Sequence, residues 1–149
     1  HMIDTVAELQ IPYILMHMRG TPATMQQFTQ YKNVTSDVIN ELSEKITLLR
    51  SKGIKDIIVD PGFGFSKTLE QNYELMNNLE KFHFMNLPIL VGISRKSMIY
   101  KALELTPETA LNGTTVLNTI ATLKGTHILR VHDVKESVET VKIVQLTLK

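Results

Sequence analysis

The sequence predicts an α/β fold built on parallel strands, and three observations predict it. Residues 12–17 (PYILMH), 56–60 (DIIVD), 88–93 (PILVGI) and 126–131 (THILRV) are short apolar segments, mostly bounded by Gly or Pro and too brief for helices. Segments of helical periodicity separate them. The strand segments are continuously apolar, as parallel strands covered on both faces are. This alternating order demands parallel strands joined by right-handed crossovers. Two architectures satisfy it, an open doubly wound sheet or part of a (β/α)8 barrel. In both, function gathers at the carboxyl ends of the strands.

The elements follow in order. A helical stretch covers roughly residues 3–9, ahead of the first strand segment. Residues 37–50 place Val38, Leu42, Ile46 and Leu49 on one face, with Ser36 as candidate N-cap, Asp37 at the positive helix end and Gly53 beyond the last turn. Residues 69–80 carry Leu69, Tyr73, Met76 and Leu79 at helical spacing. After the third strand segment come a short helix from Ser97 and a longer one opening at Thr106-Pro107-Glu108, where the missing Pro N–H does no harm. Gly113 is expected to break or re-nucleate that segment. The last helix opens on Asp133 with Glu136 three residues on, a capping-box-like pair, and aligns Val134, Val138, Val141 and Leu148 on one side.

Composition narrows the function classes. The 149 residues suit one domain, and 43% hydrophobic content suffices for a core burying about two thirds of the chain's surface. Sixteen basic and fifteen acidic residues give a net charge of +1 with no Lys/Arg run, so bulk charge points to neither nucleic acid nor a membrane surface. There is no Cys, hence no disulfide framework and no Cys-ligated metal; this suits a reducing compartment, and a cytoplasmic location is expected. No apolar run approaches ~18 residues. His1-Met2 resembles a cloning remnant, which leaves 3–149 as the expected domain.

Polar groups converge on the carboxyl ends of the strands. The first runs into Met16, His17 and Arg19, the second into Asp60-Pro61-Gly62, the third into Gly92 and Ser94-Arg95-Lys96-Ser97, the fourth into Arg130 and His132-Asp133. Arg130 and His132, two apart, project the same way from a strand and suit an anion such as a phosphate. Asp60 complements them: a carboxylate accepts two parallel hydrogen bonds, as from the guanidine-like edge of a pterin or guanine. Gly62 and Gly64 allow close backbone approach or positive φ, and Phe63 and Phe65 offer flat apolar surfaces. Each residue has a bland rival. A strand-end acid often caps a turn, Lys96 suits an exposed first-turn lysine, His17 a structural hydrogen bond, and Arg19 and Arg95 loop bracing. Joint location is what favours a site.

LMHMRGTPATM (15–25), DPGFGFSK (60–67), VGISRKS (91–97) and RVHDV (130–134), in this order and at these separations, resemble the second half of the dihydropteroate synthases over nearly the whole chain. The resemblance implies the C-terminal half of a (β/α)8 TIM barrel, four parallel strands each followed by a helix. It implies an enzyme, a transferase of folate biosynthesis that joins 6-hydroxymethyl-7,8-dihydropterin pyrophosphate to p-aminobenzoate and releases pyrophosphate. Carried over by motif, Asp60 accepts from the pterin's amino-pyrimidinone edge, Lys96 contacts the pterin, and Met16, Leu90 and Gly92 line its slot. Phe65 and Ser97 border the aminobenzoate, which sulfonamides imitate, and Arg130 with His132 hold the pyrophosphate. Lys96, Arg130 and His132 are thus the expected catalytic residues. The implied chemistry is dissociative: pyrophosphate leaves first, and the amine attacks a delocalised pterin cation.

The departure from the family is equally informative. A full barrel takes about 250 residues and eight strands, and the first motif here matches the family's fifth strand. The chain therefore reads as a fragment starting in the helix before that strand, with no metal ligand of its own. The residue the resemblance associates with Mg2+, two pterin ligands and two mobile loops belong to the missing half. Little or no synthase activity is expected alone, and its unpaired strand edges predict self-association or a homodimer. Two alternatives are a pterin-binding module of a corrinoid methyltransferase, against which SRKS and RVHDV argue because it binds no pyrophosphate, and a non-catalytic α/β domain.

Overall fold

The computed structural model describes residues 2–148 and contains, among them, strands β1 (Tyr13–Met16), β2 (Ile57–Asp60), β3 (Leu90–Val91) and β4 (Ile128–Leu129). His1, half of the pair read as a remnant, lies outside the described residues; Met2 opens helix α1 (Met2–Leu9). β1 pairs with β2 in parallel from Tyr13–Ile57 to Met16–Asp60, and β3 with β4 at Leu90–Ile128 and Val91–Leu129. A parallel bridge between Val59 and Ile89 joins the two pairs, with the Val59 amide donating to the Pro88 carbonyl at 2.9 Å. The neighbours are sequential and the strand order never reverses. A doubly wound sheet has a reversal, whereas a barrel wall does not.

The strands are shorter than the apolar segments, β3 and β4 keeping only Leu90–Val91 and Ile128–Leu129 of residues 88–93 and 126–131. Single bonds carry the ladder one residue further, from the His17 amide to the Asp60 carbonyl and from the Arg130 amide to the Val91 carbonyl, both at 2.9 Å. The core lies between β2–β3 and the helices. Val59, Ile89, Val91 and Ile93 are fully buried together with Val38 and Leu42 of α2 (Val34–Ser51), Leu75 of α3 (Leu69–Asn77) and Phe63. Each such side chain contributes roughly 1.5–3 kcal/mol through its burial.

Several expected boundaries are corrected by local hydrogen bonding. The cap of α2 is Asn33, not Ser36: the Asn33 side chain accepts from the Ser36 amide at 2.8 Å. α3 starts on a Thr68–Gln71 capping box and stops at Asn77 rather than residue 80, passing into a 3-10 stretch, Leu79–Met85. α4 (Ser97–Tyr100) matches the short helix, but α5 (Leu111–Leu123) begins at Leu111 and not at Thr106. The reason is competition for carbonyls. Arg95 Nη1 takes those of Pro107 and Glu108 at 2.9 and 2.6 Å, and the Thr106 amide bonds to Thr109 Oγ1 at 3.1 Å. Gly113 neither breaks nor restarts α5. It lies inside it, where a Cβ would meet Ile99 Cγ2 of α4 at 2.4 Å.

The last helix, α6 (Val134–Thr147), differs most. The Asp133 side chain makes no cap bond, because Arg95 holds its carboxylate at 2.7 and 3.0 Å. Ser137, Thr140 and Val144 form its buried face, while Val134, Val138 and Leu148 of the expected apolar face are exposed. Small polar residues can pack here because their hydroxyls bond to their own helix, Ser137 to the Asp133 carbonyl at 2.7 Å and Thr140 to that of Glu136 at 2.8 Å. The outward valines border a cavity of about 790 Å3 between α6 and β4.

Candidate functional site

The site is built around the turn that follows β2. Asp60, 1% exposed, accepts the Gly62 amide on Oδ1 at 2.8 Å. Gly62 has φ of +72°, and a Cβ there would lie 1.9 Å from the His17 carbonyl oxygen, so only glycine lets the turn pass against the end of β1. Among the described residues Asp60 Oδ2 accepts no hydrogen bond; Arg130 Nη2 stands 3.8 Å away. Burial pushes the Asp60 carboxyl above its usual range, and the Gly62 amide, Lys96 and Arg130 pull it back. A buried carboxylate oxygen with an open lone pair is an acceptor awaiting a donor.

Lys96 reaches the same place from the loop before α4. Its Nζ donates to the Phe63 carbonyl at 2.5 Å and lies 4.5 Å from the centre of the Phe65 ring. Burial lowers its pKa to about 8 against the attraction of Asp60, with Arg130 lowering it further. Phe63, expected as a ligand-facing surface, is instead fully buried in the core, so Phe65 alone of the pair flanks Lys96.

From the other side, the Arg130 guanidinium lies over Gly92, where a Cβ would be 2.9 Å from both Nε and Nη2. The His132 amide and Nδ1 both engage Ser94 Oγ, at 3.2 and 3.0 Å. Gly92, Ser94, Lys96, Arg130, Val131 and His132 enclose about 240 Å3. Arg130 and His132 stand beyond the end of β4 and line this one cavity together with Val131 between them. A neighbouring cleft of about 340 Å3 includes Phe65, Arg95, Lys96 and Ser97. Met16 lies level with Asp60 in the β1–β2 register, and Leu90 is a buried β3 residue two positions before Gly92. The larger cavity beside α6 meets the site at Arg130 and Val131.

Residues that sequence reasoning passed over support this arrangement. Buried Lys67 and half-buried Glu41 join His17 and Arg19 in a network behind the turn, and the Asn72 side chain accepts the Gly64 amide at 2.7 Å. Lys67 stands in the quoted DPGFGFSK motif, but Glu41, on α2, carries no sequence signal at all. Arg19 and Arg95 do brace loops. Arg19 donates to the Gln30 carbonyl at 2.6 Å and pairs with Glu41, while Arg95 ties α6 to the segment before α5.

A family profile described as "Pterin binding enzyme" matches residues 1–132. The chain belongs to the pterin binding enzyme family. Within that family it is 45% identical to the dihydropteroate synthase of Escherichia coli over 98% of this chain and 52% of the relative. It is 41% identical to that of Clostridium beijerinckii over 99% of this chain and 54% of the relative. Among solved structures, a Yersinia pestis dihydropteroate synthase with a sulfonamide drug complex superposes with a TM-score of 0.95 at 39% identity, covering 97% of this chain and 54% of that one. The Thermus thermophilus enzyme in complex with 4-aminobenzoate gives a TM-score of 0.95 at 31% identity, covering 99% and 61%. This pterin binding family member thus spans about half the length of the curated relatives it matches. No helix among its described residues is long and apolar enough to cross a membrane.

Proposed function

We propose that this chain forms the pterin- and pyrophosphate-binding half of a dihydropteroate synthase barrel. The observation that carries the reading is Asp60 Oδ2, buried and without a hydrogen-bond partner among the described residues, with Lys96 and Arg130 on either side. Asp60 takes the donor edge of the pterin, Lys96 lies against the pterin ring system, and Met16, Leu90 and Gly92 complete the slot. Arg130 and His132 hold the pyrophosphate, and Phe65 with Ser97 border the aminobenzoate. In the reaction the bond between the pterin methylene carbon and the pyrophosphate oxygen breaks, and its electron pair leaves with the pyrophosphate. The aminobenzoate nitrogen then bonds to that carbon and loses a proton to solvent. Such a step needs an anion held more than a strong base, which suits a guanidinium and an imidazole donor at the leaving group.

The sequential strand order, the superposition on a solved synthase and the coverage of about half its chain support a half barrel. The described residues contain no cluster of three or more His, Cys, Asp or Glu side chains, and the site itself is cationic apart from Asp60. These residues do not fit Mg2+; any Mg2+ used in the reaction is assigned to the half these residues do not form. The exposed valines of α6 and the gap beside β4 favour self-association of the isolated chain. The chain works in the cytoplasm, in keeping with its lack of Cys. A corrinoid methyltransferase module would make no use of the Arg130–His132 cavity.

Calorimetric titration with 6-hydroxymethyl-7,8-dihydropterin pyrophosphate tests the reading. Micromolar binding lost in Asp60→Asn is the expected result. Equal binding by a folded Asp60→Asn variant overturns the role of Asp60.

A further inference from the structure

The turn that presents Asp60 is held from behind by a network to which the roles above give no task. Lys67 is 4% exposed, and its Nζ lies 3.0 Å from each of three acceptors, the Gly62 carbonyl, the Phe65 carbonyl and His17 Nδ1. An ammonium has three protons, so its donor capacity matches the acceptors around it. With Nδ1 accepting, the proton of fully buried His17 is on Nε2, which donates to Glu41 Oε2 at 3.0 Å. The other Glu41 oxygen accepts from Arg19 Nε at 2.9 Å and from Nη2, and the Arg19 guanidinium stacks on Tyr31 at 3.9 Å. A continuous chain of charge-assisted bonds therefore runs from α2 to the turn.

The two carbonyls that Lys67 binds have particular neighbours. Gly62 supplies the amide that occupies Asp60 Oδ1, and Phe65 supplies the ring beside Lys96. The Phe65 amide also donates to the Gly62 carbonyl at 3.1 Å, so the lysine grips both ends of one turn. We propose that protonated Lys67 is a positioning residue of the pterin site, holding the Gly62–Phe65 turn so that one Asp60 oxygen is engaged by backbone and the other is left for ligand. This rests on the reading of Asp60 as the pterin acceptor.

The network also makes the hold sensitive to pH. Burial lowers the Lys67 pKa to about 7. Facing it are Asp60 at the end of β2 and Glu41 on α2, which favour the charged form, and Lys96 and Arg19, which oppose it. His17 stands between Lys67 and Glu41, with Lys45 acting on His17, and Tyr31 and Asp37 lie against Arg19. Deprotonation removes one of three donated hydrogens near neutrality, within reach of a native titration.

The test follows the Gly62 amide of the whole 149-residue chain by 1H–15N NMR from pH 6 to 9, in the parent, Lys67→Met and Lys67→Arg. Each is also titrated with 6-hydroxymethyl-7,8-dihydropterin, which lacks the pyrophosphate. The parent amide is expected to titrate near neutrality, and Lys67→Met to show a shifted Gly62 signal without that titration, which separates this effect from Lys96. Pterin affinity is expected to fall on the order of tenfold in Lys67→Met, with partial recovery in Lys67→Arg. A folded Lys67→Met with parental Gly62 signal and affinity overturns the proposal. If that variant does not fold, a parent Gly62 amide that is flat from pH 6 to 9 overturns it alone. A titrating Gly62 amide in a parent chain that binds no pterin instead overturns the ligand reading of Asp60.

Discussion

At the scale of single residues, the site is a set of close approaches between backbone and side chains. Gly62 is the tightest: a methyl group there overlaps the His17 carbonyl, at a φ that L-residues rarely adopt. Gly62→Ala is expected to lose at least about 1–3 kcal/mol in urea unfolding and to abolish pterin binding, since the amide on Asp60 moves with the turn. His17 gives the turn a pH dependence of stability. Burial, aided by Lys67 and opposed by Glu41, lowers its pKa from 6.5 to about 4. Between those values the unfolded chain binds a proton that the folded chain refuses, so stability falls as pH drops through that window and is unaffected by His17 above it. The loss reaches up to roughly 3 kcal/mol. Urea unfolding between pH 7 and 4 measures it, and a His17→Asn variant, though less stable at pH 7, should show a shallower slope.

At the scale of elements, packing overrules local preference in two places. Gly113 lies in α5, where replacing Gly by Ala ordinarily stabilises a helix by about 1 kcal/mol. Here the added methyl meets Ile99 Cγ2 at 2.4 Å and Leu103 Cδ1 at 3.0 Å, and overpacking typically costs about 1–3 kcal/mol. Gly113→Ala should therefore lower the melting temperature, despite its better helix propensity. Arg95, at φ of +54°, spans the loop before α4, the carbonyls of Pro107 and Glu108, and the Asp133 carboxylate at the start of α6. It sits beside Lys96 as Asp133 sits beside His132, so this strap ties together the segments that carry these two residues of the site. Arg95→Lys loses the planar fork, and hydrogen exchange over residues 106–110 should speed up while the α2 core stays protected.

At the scale of the whole molecule, the notable feature is a face without a cover. Val134 and Val138 on α6 and Leu148 just past its end are exposed, and Leu129 and Val131 border the gap between that helix and β4. Val138→Lys is expected to shift the chain toward monomer in sedimentation experiments with little change in thermal stability, because Val138 is already 46% exposed. An unchanged association state would remove this face from the account of self-association.

What was legible in the sequence follows from what is local. Four apolar segments, the helices between them and the motifs at strand ends were readable because period, turn chemistry and strand-end position are properties of neighbouring residues. The positive φ of Gly62 and Gly64 and the convergence of Arg130 with His132 belong to this class. Tertiary structure alone decided where α5 begins, because Arg95 takes carbonyls that a helix starting at Thr106 would use. It also decided that the Asp133 carboxylate pairs rather than caps, and that the small polar side of α6 faces inward. Lys67 and Glu41 became visible only when His17 stood between them, for a bond joining residues 24 or 50 positions apart has no local signature. By itself the sequence determined the parallel α/β pattern and the chemical groups at its rim, since these depend on near neighbours; the fold decided which of those groups are satisfied and which, like Asp60 Oδ2, stand open to a ligand, since that depends on contacts between distant segments.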